Sequence, residues 1–142
     1  MKLLVATDGS KAALHALKYA FGLVRQLATN ANSVTLISFH DDAAYRHAEY
    51  FVGKKVVADY LRNASEKELK ASRKLLDAAG IRHDMEVRTG RVSKEILDCA
   101  SSGKFDLLVM GAKGRSGIAD LLLGSVAQRV LAMAGLPVLL VK

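Results

Sequence analysis

Short apolar runs alternate with longer stretches of helical periodicity along this chain. Leu3-Leu4-Val5-Ala6 is a first apolar run, and it stops at Thr7-Asp8-Gly9-Ser10. Over residues 10–28 the apolar positions Leu14, Leu17, Phe21, Val24 and Ala28 fall on one helical face. Ser10 or Asp8 is placed to cap that helix. Asn30-Ala31-Asn32-Ser33 breaks the pattern, and Val34 to Phe39 reads as a second strand, rich in β-branched residues and uncharged. Residues 40–52 are mixed and predict no element. A long helix is expected from Val56 to Ala79, with Val57, Leu61, Ala64, Ala71, Leu75 and Ala79 inward and Gly80 at its C-terminal end. Arg82 to Arg88 alternates as a strand. Val92 to Ser101 is helical with Val92, Ile96, Leu97 and Ala100 inward, and Asp106 to Met110 is a buried strand. A glycine-rich loop follows, then a helix over Ser125 to Met133. Pro137 to Val141 is a last strand, with the only proline at its start, where proline is tolerated.

Strands and helices thus alternate five and four times, which predicts one α/β domain over residues 1–142. Strands apolar on both faces belong to a doubly wound parallel sheet covered by helices on both sides. Right-handed crossovers leave the strand order 3-2-1-4-5 as the natural choice. In that order the chain reverses direction between strands 1 and 4, and ligands bind beyond the strand C-termini at such a switch point. Strand 1 ends at Ala6-Thr7-Asp8 and strand 4 at Met110-Gly111, so two distinctive loops meet there.

Composition narrows the classes. With 142 residues, 51% hydrophobic and 25% charged, the chain is large and apolar enough to fold on its own core. No apolar run approaches the roughly 20 residues that span a bilayer, so no membrane partner is expected. One cysteine, Cys99, excludes a disulfide framework and fits a reducing cytoplasm. The net charge of +7 points to an anionic partner or to a lysine-rich solvated surface. The basic residues are spread over several helices and aromatics are only 6%, which speaks against a nucleic-acid binder.

The chemistry concentrates in Gly111-Ala112-Lys113-Gly114-Arg115-Ser116-Gly117-Ile118-Ala119-Asp120-Leu121-Leu122-Leu123-Gly124-Ser125, a G-x2-G-x9-G-S pattern between a strand and a helix. Gly111 and Gly114 would turn the backbone with positive φ and let its N–H groups approach a ligand. Gly124 and Ser125 open a helix whose free N–H groups favour an anion. The Ser125 hydroxyl either caps that helix or meets a phosphate oxygen, and Lys113 and Arg115 would offset phosphate charge. Neither a P-loop nor a dinucleotide fingerprint is present.

With this loop, Val5-Ala6-Thr7-Asp8-Gly9-Ser10 at the start and Leu136-Pro137-Val138-Leu139-Leu140-Val141 at the end, the sequence resembles the universal stress protein family over essentially its whole length. The resemblance implies a five-stranded fold of the kind just derived, a homodimer, and the ATP-binding subgroup marked by the glycine motif. It places Asp8 by the nucleotide, Phe39 near the adenine, and Met110 and Gly111 against the nucleoside. Gly114, Gly124, Ser125 and Val126 would hold the phosphates. Ala6 departs from the family, whose nucleotide-binding members can carry proline there.

Asp8 has two readings, a ligand for ribose or for a phosphate-bound Mg²⁺, and a helix cap. His15, His40, His47 and His83 have no metal-ligand spacing, and His40-Asp41-Asp42 with His47 is the nearest approach to a cluster. Cys99 is expected to be a buried, inert thiol. The uncharged edge strand Val138 to Val141 predicts a two-fold dimer through strand 5. The leading expectation is a cytoplasmic regulatory protein that binds ATP (or AMP or ADP), with Mg²⁺, and changes its dimer or partner contacts with nucleotide state. No convincing general base is legible, so turnover would be slow or absent. The alternatives are a slow ATPase or phosphotransferase using Asp8 with Lys113 or Arg115, and a nucleotide-free dimeric scaffold. A flavin carrier is disfavoured by the poverty of hydroxyls in Thr7-Asp8-Gly9-Ser10.

Overall fold

The computed structural model describes residues 1–27, 32–114 and 123–142. Its elements run β1 (Lys2–Thr7), α1 (Lys11–Gln26), β2 (Ser33–His40), α2 (Asp42–Val52), α3 (Lys54–Ala78), β3 (His83–Thr89), α4 (Val92–Ser102), β4 (Leu107–Gly111), α5 (Ser125–Met133) and β5 (Val138–Val141). The five strands form one sheet in the order β3-β2-β1-β4-β5, and every neighbouring pair is parallel. This is the expected doubly wound α/β fold, with β1 in the centre and β3 and β5 at the edges.

Two apolar layers cover the sheet. Leu3 and Val5 of β1 join Leu17, Phe21, Val24, Leu69 and Leu76 on the side of α1 and α3. Leu4 and Ala6 point the other way and join Ile96, Cys99, Ala100, Ala127 and Val130 on the side of α4 and α5. Successive strand side chains alternate between faces, so a strand apolar at every position serves both layers. That is why the run Leu3 to Ala6 carries no polar residue. Each fully buried Leu or Val contributes about 1.5–3 kcal/mol.

Three features differ from the sequence expectation. Residues 42–52 form α2, which the periodicity does not reveal. The buried residues of α3 are Val57, Ser65, Leu69, Ser72 and Leu76; of the others expected inward, Leu75 and Ala79 pack half-buried against the core, Leu61 and Ala64 are half-buried, and Ala71 is exposed. The face is shifted because two serines sit on it. Ser65 Oγ donates to the Leu61 carbonyl at 2.8 Å, which meets the hydroxyl's need inside the layer. Third, Gly111 and Gly114 do not take positive φ; among the described residues the glycines that do are Gly9, Gly53, Gly80 and Gly90. Gly80, with φ 62°, ends α3 as expected. Its N–H donates to Asp77 and that of Ile81 to Leu76, the paired bonds of a Schellman ending.

Candidate functional site

A cavity of about 410 Å³ opens beyond the C-termini of β1 and β4, where the sheet reverses. That volume is in the range of small-molecule sites. Its walls include Ala6, Thr7 and Asp8 from the end of β1, Phe39 and His40 from the end of β2, and Met110 and Gly111 from the end of β4. Lys113, Gly114, Gly124, Ser125 and Val126 complete it. Of the residues singled out from the sequence, only Arg115 is missing, and it lies outside the described residues.

The turn after β1 is held by its own hydrogen bonds. Thr7 Oγ1 accepts from the Gly9 N–H at 3.2 Å, and Asp8 Oδ1 accepts from the Ser10 N–H at 3.0 Å. Ser10, not Asp8, caps α1, its Oγ accepting from the Ala13 N–H at 3.2 Å. Asp8 is therefore turned by a local bond that engages one oxygen and presents Oδ2 to the glycine loop. A Cβ built on Gly114 would lie 3.0 Å from that Oδ2. Gly9 has φ 74°, and a Cβ there would meet Glu68 Cγ of α3 at 3.0 Å. Glu68 in turn accepts from Ser38 Oγ of β2 at 3.2 Å. The turn thus sits between α3 and the loop with no room for side chains at either glycine.

The two ends of the loop are tied together. The Ala112 N–H donates to Val141 at the end of β5, and the Gly124 N–H donates to the Ala112 carbonyl, both at 2.8 Å. Gly124 is the N-cap of α5 with extended backbone (φ −71°, ψ 153°) and no side-chain cap bond. Ser125 is the first helical residue, so the capping reading of its hydroxyl does not hold. Without a side-chain acceptor at the cap, the first N–H groups of α5 are a ready anion seat next to the Ser125 hydroxyl. The glycines work here through close approach rather than through unusual φ: a Cβ on Gly111 would meet the Lys113 carbonyl oxygen at 3.1 Å and the Ala12 backbone at 3.2 Å.

The opposite wall is apolar and only partly legible in the sequence. Val92 and Ile96 of α4, Met110, Phe39 and Tyr45 of α2 also line the cavity. Tyr45 meets the His40 ring edge-on at 6.3 Å between centroids. His40 is buried and its Nε2 is hydrogen-bonded to Ser65 Oγ. Because Ser65 already gives its proton to Leu61, the imidazole Nε2–H donates in this pair. Tyr45, His40 and Asp41 line the site from a stretch whose sequence offers no pattern. Val92 and Ile96, by contrast, are legible as the inward face of a helix.

Of the residues weighed as a metal cluster or nucleophile, His40 and Asp41 line this cavity, whereas His15, His47, His83 and Cys99 do not. Among the described residues no group of His, Cys, Asp and Glu could hold a metal ion. Cys99 is buried, with Sγ 3.9 Å from Glu86 Oε2, and burial pushes its thiol above the usual range. A larger groove of about 780 Å³ lies between α4 and α5, lined by Arg91, Lys94, Leu97, Arg129 and Met133. It has neither strand ends nor the glycine loop in its walls, and the smaller cavity is the better candidate.

Fold and site together define a class: a doubly wound α/β protein with a glycine-lined cleft at the switch point of its sheet. Within that class the chain belongs to the universal stress protein family, whose model matches residues 1–142. It is 30% identical over 147 residues to a universal stress protein of Methanocaldococcus jannaschii, covering 99% of this chain and 81% of the relative. A second universal stress protein of that archaeon has a solved structure that superposes with a TM-score of 0.87 at 26% identity, over 99% of this chain and 94% of the other. A universal stress protein solved in complex with cAMP superposes with a TM-score of 0.62 at 25% identity, covering 100% and 96%. No helix among the described residues is long and apolar enough to cross a membrane.

Proposed function

We propose that this chain binds an adenine nucleotide in the cavity at the switch point, ATP with Mg²⁺ foremost, and works as a cytoplasmic stress-response regulator. The observation that carries this reading is the contact between the two loops. A Cβ on Gly114 would lie 3.0 Å from Asp8 Oδ2, so the glycine loop, whose far end opens α5, comes against the Asp8 carboxylate. The phosphates would lie along Gly114, Gly124, Ser125 and Val126, with Lys113 and Arg115 offsetting their charge. Asp8 would hold ribose or the accompanying Mg²⁺. The nucleoside would lie along Ala6, Thr7, Met110 and Gly111, with the adenine against Phe39. The cAMP complex of a relative supports the choice of an adenine nucleotide.

Nucleotide occupancy would act on the protein's contacts with other chains. The loop is tied to Val141 of β5 through Ala112, and β5 is an open sheet edge. Ligand in the loop therefore bears on the edge through which a homodimer would form, and through it on a protein partner.

The test is calorimetric titration of nucleotide-stripped protein with ATP, with and without Mg²⁺, and with AMP and cAMP. Micromolar binding is expected, with the Mg²⁺ dependence lost in Asp8→Ala. Gly114→Val should weaken ATP binding at least about tenfold, since its side chain fills the space in front of Asp8. No binding by correctly folded protein would overturn the reading.

A further inference from the structure

The corner between α2 and α3 carries a patch that the nucleotide site does not explain. Tyr50 is 86% exposed and Phe51 70%, and Val52, Val56 and Tyr60 are also more than half exposed. The rings are already clustered: His47 and Tyr50 each meet Phe51 edge-on at 5.3 Å between centroids. Val56 and Tyr60 lie one helical turn apart on α3, and the Tyr60 ring meets that of Tyr45 at 6.2 Å between centroids. Gly53 joins the two helices with φ 87°, and a Cβ on it would meet nothing within 4 Å. The turn is therefore open at Gly53, while Val57 of the first turn of α3 is buried.

Its charges are basic. Lys54 and Lys55 follow Gly53 directly, Arg46 and Arg62 flank the patch, and Glu49 and Asp59 are its acids. Among the described residues neither Lys54 nor Lys55 is in an ion pair. A protein interface of this apolarity would be depleted of lysine at its centre. Here two lysines sit in the middle of the apolar run. Projecting aromatic rings with tyrosine hydroxyls, set among lysine side chains, suit the boundary between lipid headgroups and acyl chains. The long lysine stems can lie along apolar surface while their ammonium groups reach anionic headgroups.

We propose that the α2–α3 corner docks this protein on an anionic lipid surface, with Tyr50, Phe51 and Val52 entering the headgroup layer and Lys54 and Lys55 pairing with the lipid charge. This is peripheral contact and needs no spanning helix.

Flotation with vesicles tests it, using pure phosphatidylcholine against an equal mixture of phosphatidylcholine and phosphatidylserine. The wild-type chain should float with the anionic vesicles only. Tyr50→Ser with Phe51→Ser should lower the partition coefficient about tenfold. Lys54→Glu with Lys55→Glu should lower it likewise and flatten its salt dependence. A matched charge change elsewhere on α3, Lys67→Glu with Lys70→Glu, should leave most of the binding in place. All these side chains are exposed, so each variant should keep the wild-type melting temperature. The proposal fails if the wild-type chain does not float, or if the remote variant loses as much as Lys54→Glu with Lys55→Glu. It also fails if binding survives the loss of Tyr50 and Phe51, which would make it a matter of net charge and leave the corner to a protein partner. Sedimentation velocity covers the remaining case: self-association abolished by Tyr50→Ser with Phe51→Ser would assign the patch to a second copy.

Discussion

At the scale of single residues, the glycines differ in what they do. Gly80 satisfies a left-handed backbone, Gly114 and Gly103 satisfy a lack of space, and Gly9 satisfies both. Gly103 is far from the cavity. A Cβ there would lie 2.0 Å from Phe105 Cε2. The ring has little freedom to yield, because it packs on the α4–α5 layer and lies under Lys2 Nζ at 4.6 Å. The same ammonium donates to the Gly103 carbonyl at 2.8 Å. Gly103→Ala should therefore destabilise the fold by about 1–3 kcal/mol, although Ala is the better helix former. Urea denaturation would show this as a lower midpoint with an unchanged slope.

At the scale of elements, α3 shows how hydrophobic periodicity misleads when an inward face is part polar. Reading only apolar positions puts Ala71 inside and Ser72 outside; the helix has them the other way round. Leu76, with no exposed surface, marks the true face. Leu76→Ala should cost about 2–5 kcal/mol, while Ala71→Ser should stay within about 0.5 kcal/mol, both by chemical denaturation. Equal effects would mean that α3 does not turn Leu76 to the sheet and Ala71 to solvent. The strands are legible because uncharged runs such as Leu3 to Ala6 and Val34 to Phe39 have few other uses. The strand order follows from the alternation of strand and helix. The site is legible where backbone chemistry is written in residue types, at Asp8 and in the glycine loop. It is not legible where it depends on packing. His40 lines the cavity from the end of β2 and Tyr45 from α2, an element the periodicity does not reveal, and Ser65 is chosen by the imidazole it meets. Nothing in the local pattern of residues 40–52 announces either.

At the scale of the whole molecule, β5 is an edge of the sheet, and the proposed dimer would form through it. The Leu108 N–H donates to Pro137 and the Ala112 N–H to Val141, so the backbone groups of alternate residues face β4. Those of Val138 and Leu140 consequently point away from the sheet. A partner strand would pair with them. Leu140→Pro removes an outward N–H while sparing the ladder to β4. In sedimentation velocity it should turn a dimer into a monomer, and a circular dichroism spectrum should confirm that the fold is kept. A dimer that persists in Leu140→Pro would place the interface elsewhere.

The central position of β1 has a consequence for synthesis. Its register binds Leu3 to Val34 on one side and to Leu107 on the other. Lys2 also reaches Asp106 through its backbone N–H at 2.7 Å. During synthesis β1 thus waits for β4 until β2, β3 and the four helices α1 to α4 have been made, at about 5–20 residues per second. Until β4 emerges, the nascent chain can assemble only β3-β2-β1, with Leu4 and Ala6 lacking the cover of α5 and one edge of β1 open. A chaperone that masks apolar strands would find an opportunity there, and the half-sheet is exposed to aggregation until β4 has docked.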